Sequence, residues 1–202
     1  MRPEEEARRE VLSAYAALTR RGRNPVTAIM SGRPRLWKHY PLADDVREPT
    51  SGASFYYHSH PPVARDHGHF HIFMPTSGQS GFAHLLALAV DAHGLPTRLI
   101  ATNRWVTGET WRSATTLKRL LGRLVLAGAG PAPLVSRWLE AMIRLFRREI
   151  EILHSARDAR VERACASGRA MSAVLEDRRL QILATVPIGS TLLRRKLECH
   201  VP

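Results

Sequence analysis

Residues 56–75 read YYHSHPPVARDHGHFHIFMP. Five of the chain's ten histidines fall here, at His58, His60, His67, His69 and His71. The first extended run ends at Pro61-Pro62, which cannot donate to a sheet ladder and holds His60 extended. Gly68 opens a second run, HFHIFM, that Pro75 closes. Side chains alternate faces along a strand, so His58 and His60 share one face and His69 and His71 share another. Paired as a hairpin with His60 opposite His69, the two runs place His58 opposite His71. All four imidazoles then lie on one face, with Tyr57, Ser59, Phe70 and Ile72 on the other. Opposed Cβ atoms sit about 5 Å apart, and neighbours two along a strand about 7 Å. A slip of one residue would separate the pairs.

Working outward, FAHLLALAV at 82–90 is apolar on both faces and suits a central strand. The turn signal DAHGLP leads to a fourth strand, TRLIATN, at 97–103, and RRLQILATV at 178–186 offers a fifth before Pro187. Upstream, Pro3 with Glu4, Glu5 and Glu6 opens a helix carrying Val11, Ala14, Tyr15 and Leu18 at helical spacing, closed by Gly22. Residues 23–54 hold many breakers (Pro25, Gly32, Pro34, Pro41, Pro49, Gly52) and read as an irregular segment, anchored by Trp37 and Tyr40. Past residue 112 the pattern is helical. Leu117, Leu120, Leu121, Leu124 and Val125 form one stripe; Val135, Trp138, Leu139, Met142, Phe146, Ile150 and Leu153 form a longer one, with a loop, GAGPAP, at 128–133 between them. The expected class is α+β: a four- to five-stranded, mainly antiparallel sheet with helices packed on it. The expected organisation is one domain over 1–202, with an N-terminal helix (1–22), an irregular segment (23–54), the histidine-bearing sheet (55–103) and a mainly helical part (112–202).

Composition narrows the function. The chain has 202 residues, 44% hydrophobic and 24% charged, which is ordinary for a globular protein. Its densest apolar stretch, LLALAV at 85–90, is too short to span a bilayer. The acidic start lacks an apolar signal region, and Cys165 and Cys199 are too few for a disulfide framework, so a cytoplasmic location is expected. The net charge of +12 raises nucleic-acid binding. Yet lysine occurs only at Lys38, Lys118 and Lys196, and the 27 arginines are scattered from Arg2 to Arg195. That distribution fits solvated helix faces better than a nucleic-acid groove, and no membrane partner is expected.

The alternating imidazoles carry the chemistry. Neutral nitrogen donors without thiolate suit copper, iron or zinc rather than calcium or magnesium. His58, His60, His69 and His71 are the expected ligands, with His67 and His84 in reserve. Asp66 can orient an imidazole by accepting its far N–H. In NRWVTGETW at 103–111, Arg104 can fork onto an anionic group and Glu109 can act as a fifth ligand or general base. The competing reading of this segment is a capping loop in which Arg104 pairs with Glu109 and Trp105 and Trp111 plug the core.

Two resemblances bear on this reading. HGHFHIF at 67–73 resembles the histidine-triad motif of nucleotide hydrolases and transferases, which implies a phosphate-attacking middle histidine, His69, and no metal. Gly68 departs from the usual apolar spacer, and His58 and His60 have no role in that scheme. More of the chain resembles an uncharacterised family of bacterial proteins, a domain of unknown function. HYPLADDV (39–46), YYHSHP (56–61), DHGHFHIF (66–73), TNRWVTGETW (102–111), RWLEAMIRLF (137–146) and LEDRRLQIL (175–183) carry that resemblance. The leading expectation is a transition-metal-binding protein, either a metal-dependent oxidoreductase or hydrolase acting on a small molecule, or a metal storage or sensing protein. Histidine-triad chemistry and a basic nucleic-acid- or partner-binding module are the alternatives.

Overall fold

The computed structural model describes residues 3–30, 35–63, 65–76 and 81–198. Gly32, Pro34 and Cys199, singled out above, lie outside them. The class is α+β as expected, but the sheet has seven strands instead of four or five. These are β1 (His39–Tyr40), β2 (Val46–Arg47), β3 (Ser54–Val63), β4 (Asp66–Pro75), β5 (Phe82–Val90), β6 (Pro96–Thr102) and β7 (Ile182–Pro187). They run in the order β1-β3-β4-β5-β6-β7, every pair antiparallel, with β2 also on β3. The added members, β1 and β2, are two residues each and lie in the segment expected to be irregular. Pro41 follows β1 directly, and lacking an N–H it ends the pairing there.

The helices are α1 (Pro3–Thr19), α2 (Pro25–Ile29), α3 (Arg104–Thr107), α4 (Ala114–Leu121), α5 (Pro133–Leu145), α6 (Arg147–Ala166), α7 (Met171–Leu175) and α8 (Ser190–Leu197). The apolar stripe from Val135 to Leu153 is divided between α5 and α6 at Phe146, whose ψ of 21° leaves the helical range while its ring is fully buried. The stripe keeps its spacing across the break, so periodicity alone could not reveal it.

One sheet face meets these helices. Phe55, Tyr57, Phe70, Ile72, Leu86 and Leu88 join the apolar residues of α1, α5 and α6 in a common core. Phe70 packs on Trp138, ring centroids 5.7 Å apart. The alternate residues of β3 and β4, which include the histidines, point to the opposite face, following strand parity.

Candidate metal centre

The hairpin register differs from the expected one. Val63 pairs with Asp66, consistent with the expected register at the tip, but beyond it Ser59 pairs with Gly68 and His58 with His69. Between these points β3 carries two residues more than β4. The surplus falls where Pro61 and Pro62 offer no N–H to the ladder, so the strand bulges there. His58 therefore faces His69, and Tyr56 faces His71, instead of the expected 60–69 and 58–71 pairs. A slip of two residues preserves side-chain parity, so the face is unchanged.

Across the sheet the register forms rows. His39, His58, His69, Ala89 and Arg98 follow one another over β1, β3, β4, β5 and β6; Tyr56, His71, Ala87 and Ile100 form the next row. The methyl-sized side chains of Ala87 and Ala89 leave room beside the imidazoles. His60, carried in the bulge, still reaches the cluster: its Nε2 lies 3.2 Å from Nε2 of His69. Ring centroids are 4.6 Å apart for His60–His69, 5.9 Å for His69–His71, 6.3 Å for His58–His71 and 6.4 Å for His58–His60. The four rings thus close a quadrilateral.

The hydrogen bonds of these rings bear on their protons. Nδ1 of His60 donates to the Pro61 carbonyl at 2.6 Å, which leaves Nε2 of the neutral ring bare. Nδ1 of His71 meets Nε2 of His84 at 3.2 Å, and Nδ1 of His84 meets the Thr102 hydroxyl at 3.2 Å. Nε2 of His58 is buried without a partner among the described residues. Burial, reinforced by neighbouring imidazoles, lowers the pKa of His58 and takes that of His69 down to about 4. Burial also holds His71 well below the usual range and, with Arg157, takes His84 down to about 3. These rings are neutral at pH 7, the form that binds metals. Among the described residues, no three His, Cys, Asp or Glu side chains already surround a common point as ligands.

The reserve and supporting residues divide. His84 joins the cluster. His67 turns away from it, its Nδ1 2.7 Å from the Tyr57 hydroxyl. Asp66 is held by Arg98 at 2.6 Å and by Thr97 at 2.5 Å, with a carboxylate oxygen 4.0 Å from Nε2 of His69. Glu109 accepts the backbone N–H of His84 at 2.8 Å and is 1% exposed. Arg104 is not brought to the imidazoles, nor does it pair with Glu109: its guanidinium binds Glu176 at 2.5 Å. Trp105 donates to the Leu180 carbonyl, and Trp111 lies beneath the buried Arg157 guanidinium, so this loop ties α6 and α7 to the sheet.

His39 and Tyr56 were missed in the sequence. His39 stacks on Tyr56 at 3.7 Å and stands 5.8 Å from His58. Its signal was the HYP triplet, where a short strand ends at a proline. A cavity of about 590 Å³ lined by Val11, Leu12, Trp138, Met142 and Leu193 opens among α1, α5 and α8. None of the imidazoles lines it.

Fold and site together define an antiparallel-sheet α+β protein with helices on one face and clustered neutral imidazoles on the other. The chain belongs to the DUF6969 family, a domain of unknown function, whose model matches residues 5–188. No curated protein and no solved structure matches the chain.

Proposed function

We propose that this protein binds a transition metal ion, of the copper, iron or zinc group, through Nε2 of His58, His60, His69 and His71. The observation carrying the proposal is the His60–His69 pair: a nitrogen bared by the His60–Pro61 hydrogen bond lies 3.2 Å from the facing nitrogen. With metal–nitrogen bonds of about 2.1 Å, two imidazoles on one ion carry their ring centroids no more than about 6.5 Å apart. Each side of the quadrilateral, 4.6 to 6.4 Å, falls within that span. That limit belongs to trans ligands; a tetrahedral ion needs centroids about 5.3 Å apart. The His58 ring, 6.4 Å from His60 and 6.3 Å from His71, therefore draws inward by about 1 Å on binding. The buried Nε2 of His58, without a partner among the described residues, fits the same role.

The surrounding residues do what metal-bound imidazoles require of their neighbours. The Pro61 carbonyl fixes the His60 ring. His84, braced by Thr102, accepts the Nδ1 proton of His71 and leaves its Nε2 bare. Asp66 adds negative charge beside His69, and Arg98 holds Asp66 in place. A bound ion with one solvent-facing position would supply Lewis acidity or redox chemistry. A set with all four positions filled by protein would store or sense the metal.

Elemental analysis and cobalt(II) titration of the full chain test the proposal beside a His69→Ala, His71→Ala double variant. One equivalent bound by the wild type and none by the variant is expected. Failure of the wild type to take up copper, zinc, iron or cobalt at micromolar concentration overturns it. A cobalt spectrum altered by azide identifies an open position, and an unaltered one identifies storage or sensing.

A further inference from the structure

Trp37 stands beside the imidazole cluster, and metal binding gives it no role. Its φ is 64°, in the left-handed region that a bulky side chain rarely adopts. The backbone is pinned there. Its N–H donates to the Ser59 carbonyl at 2.9 Å, the Ser59 hydroxyl donates to the Arg35 carbonyl at 3.2 Å, and the Arg35 N–H donates to the Tyr40 hydroxyl at 2.6 Å. Trp37 nonetheless remains 65% exposed. It meets His58 edge-on at 5.7 Å and lies 6.3 Å from His60, inclined by 32°. Leu36 and Leu42 nearby in the chain are exposed as well. An uncovered indole and a strained backbone are each unfavourable, and this fold combines them at one residue next to the site.

We propose that Trp37 is the stacking platform for this site's ligand, a planar aromatic molecule carrying an anionic oxygen donor, phenolate or carboxylate. The substrate ring lies on the exposed indole, since aromatic pairs favour offset stacking. Its oxygen points towards His58 and His60, where a bound transition ion takes oxygen donors. The inference rests on the metal-binding reading for that last contact and on Trp37 alone for the ring.

Equilibrium dialysis of the full chain with para-nitrophenolate, and with azide as a ringless anion, provides the test. In the metal-loaded protein, Trp37→Ala should weaken para-nitrophenolate about three- to tenfold. Azide affinity and metal stoichiometry should not change, and Trp37→Phe should recover most of the loss. No change in para-nitrophenolate affinity, or an equal loss for azide, overturns the platform. The same comparison on protein without metal separates the two readings. Absent metal uptake with Trp37-dependent ring binding rejects the metal and keeps the platform; metal uptake without that dependence does the reverse.

Discussion

Glu109 uses one carboxylate oxygen to accept the His84 N–H at 2.8 Å, while the other is buried without a partner among the described residues. Burial raises its pKa to about 7, despite the opposing pull of Arg157, that hydrogen bond and Arg104. The folded state therefore holds this proton more tightly than the unfolded chain, whose group titrates near 4.5. Its contribution to stability is fully present below about pH 4.5 and is lost as pH rises through about 7, a difference of about 3 kcal/mol. Glu109→Gln retains an acceptor for His84 and removes the buried charge. Urea unfolding should show the variant more stable than wild type by about 1–3 kcal/mol at pH 8 and equal to it near pH 5. The same difference at both pH values would show that charge is not the cause. One oxygen of this side chain thus anchors the start of β5 through the His84 N–H. Sequence spacing identified a charged residue near the sheet but could not show which of its atoms were engaged.

At the scale of the hairpin, Gly68 controls how β3 lies on β4. A Cβ there would come within 2.4 Å of both the His58 carbonyl oxygen and the Tyr57 hydroxyl. The tyrosine thus crosses bare backbone to reach His67. Gly68→Ala must displace a backbone carbonyl as well as a buried ring, so a loss of about 2–3 kcal/mol is expected. Amide exchange should localise the damage to β3 and β4, while α1 and α5 keep their protection. Uniform weakening across the molecule would contradict this account. The glycine that departs from the histidine-triad spacer therefore has a packing reason. Strand parity made the shared face of His58, His69 and His71 legible, because alternation survives any even slip. The register was not legible, since it depends on how many residues the Pro61–Pro62 bulge absorbs. His39 was missed because a two-residue strand has too few residues to display a period. The ion-pair partner of Arg104 was not legible because Glu176 is distant in sequence and brought near by α7.

Over the whole molecule, much of the arginine scatter serves helix contacts. Arg137 and Arg144 on α5 pair with Glu10 and Glu6 on α1. Such exposed pairs are worth little individually, typically below about 1 kcal/mol. Buried imidazoles are the stronger electrostatic influence. Burial brings His69 to about 4, His84 to about 3 and His154 to about 4, from an ordinary 6.5. These folded pKa values are depressed for a base, so below pH 6.5 the unfolded chain binds protons that the folded one refuses. Stability is complete above about pH 6.5 and falls as pH decreases towards 3–4, where the folded rings finally titrate. Glu109 acts in the opposite sense between about pH 7 and 4.5, offsetting roughly one of the three histidines. These four groups alone give a slope near pH 5 of about 2–3 kcal/mol per pH unit, and His71, which burial holds well below 6.5, steepens it, enough to unfold a domain of ordinary stability near pH 4. His154, on α6 and outside the proposed ligand set, provides a test. Its Nε2 donates to the Leu85 carbonyl at 2.7 Å, a bond that His154→Gln can replace without titrating. The variant should lower the slope by about 1 kcal/mol per pH unit between about pH 6.5 and 4.5, measured by urea unfolding against pH. An unchanged slope would place the proton uptake elsewhere in the chain.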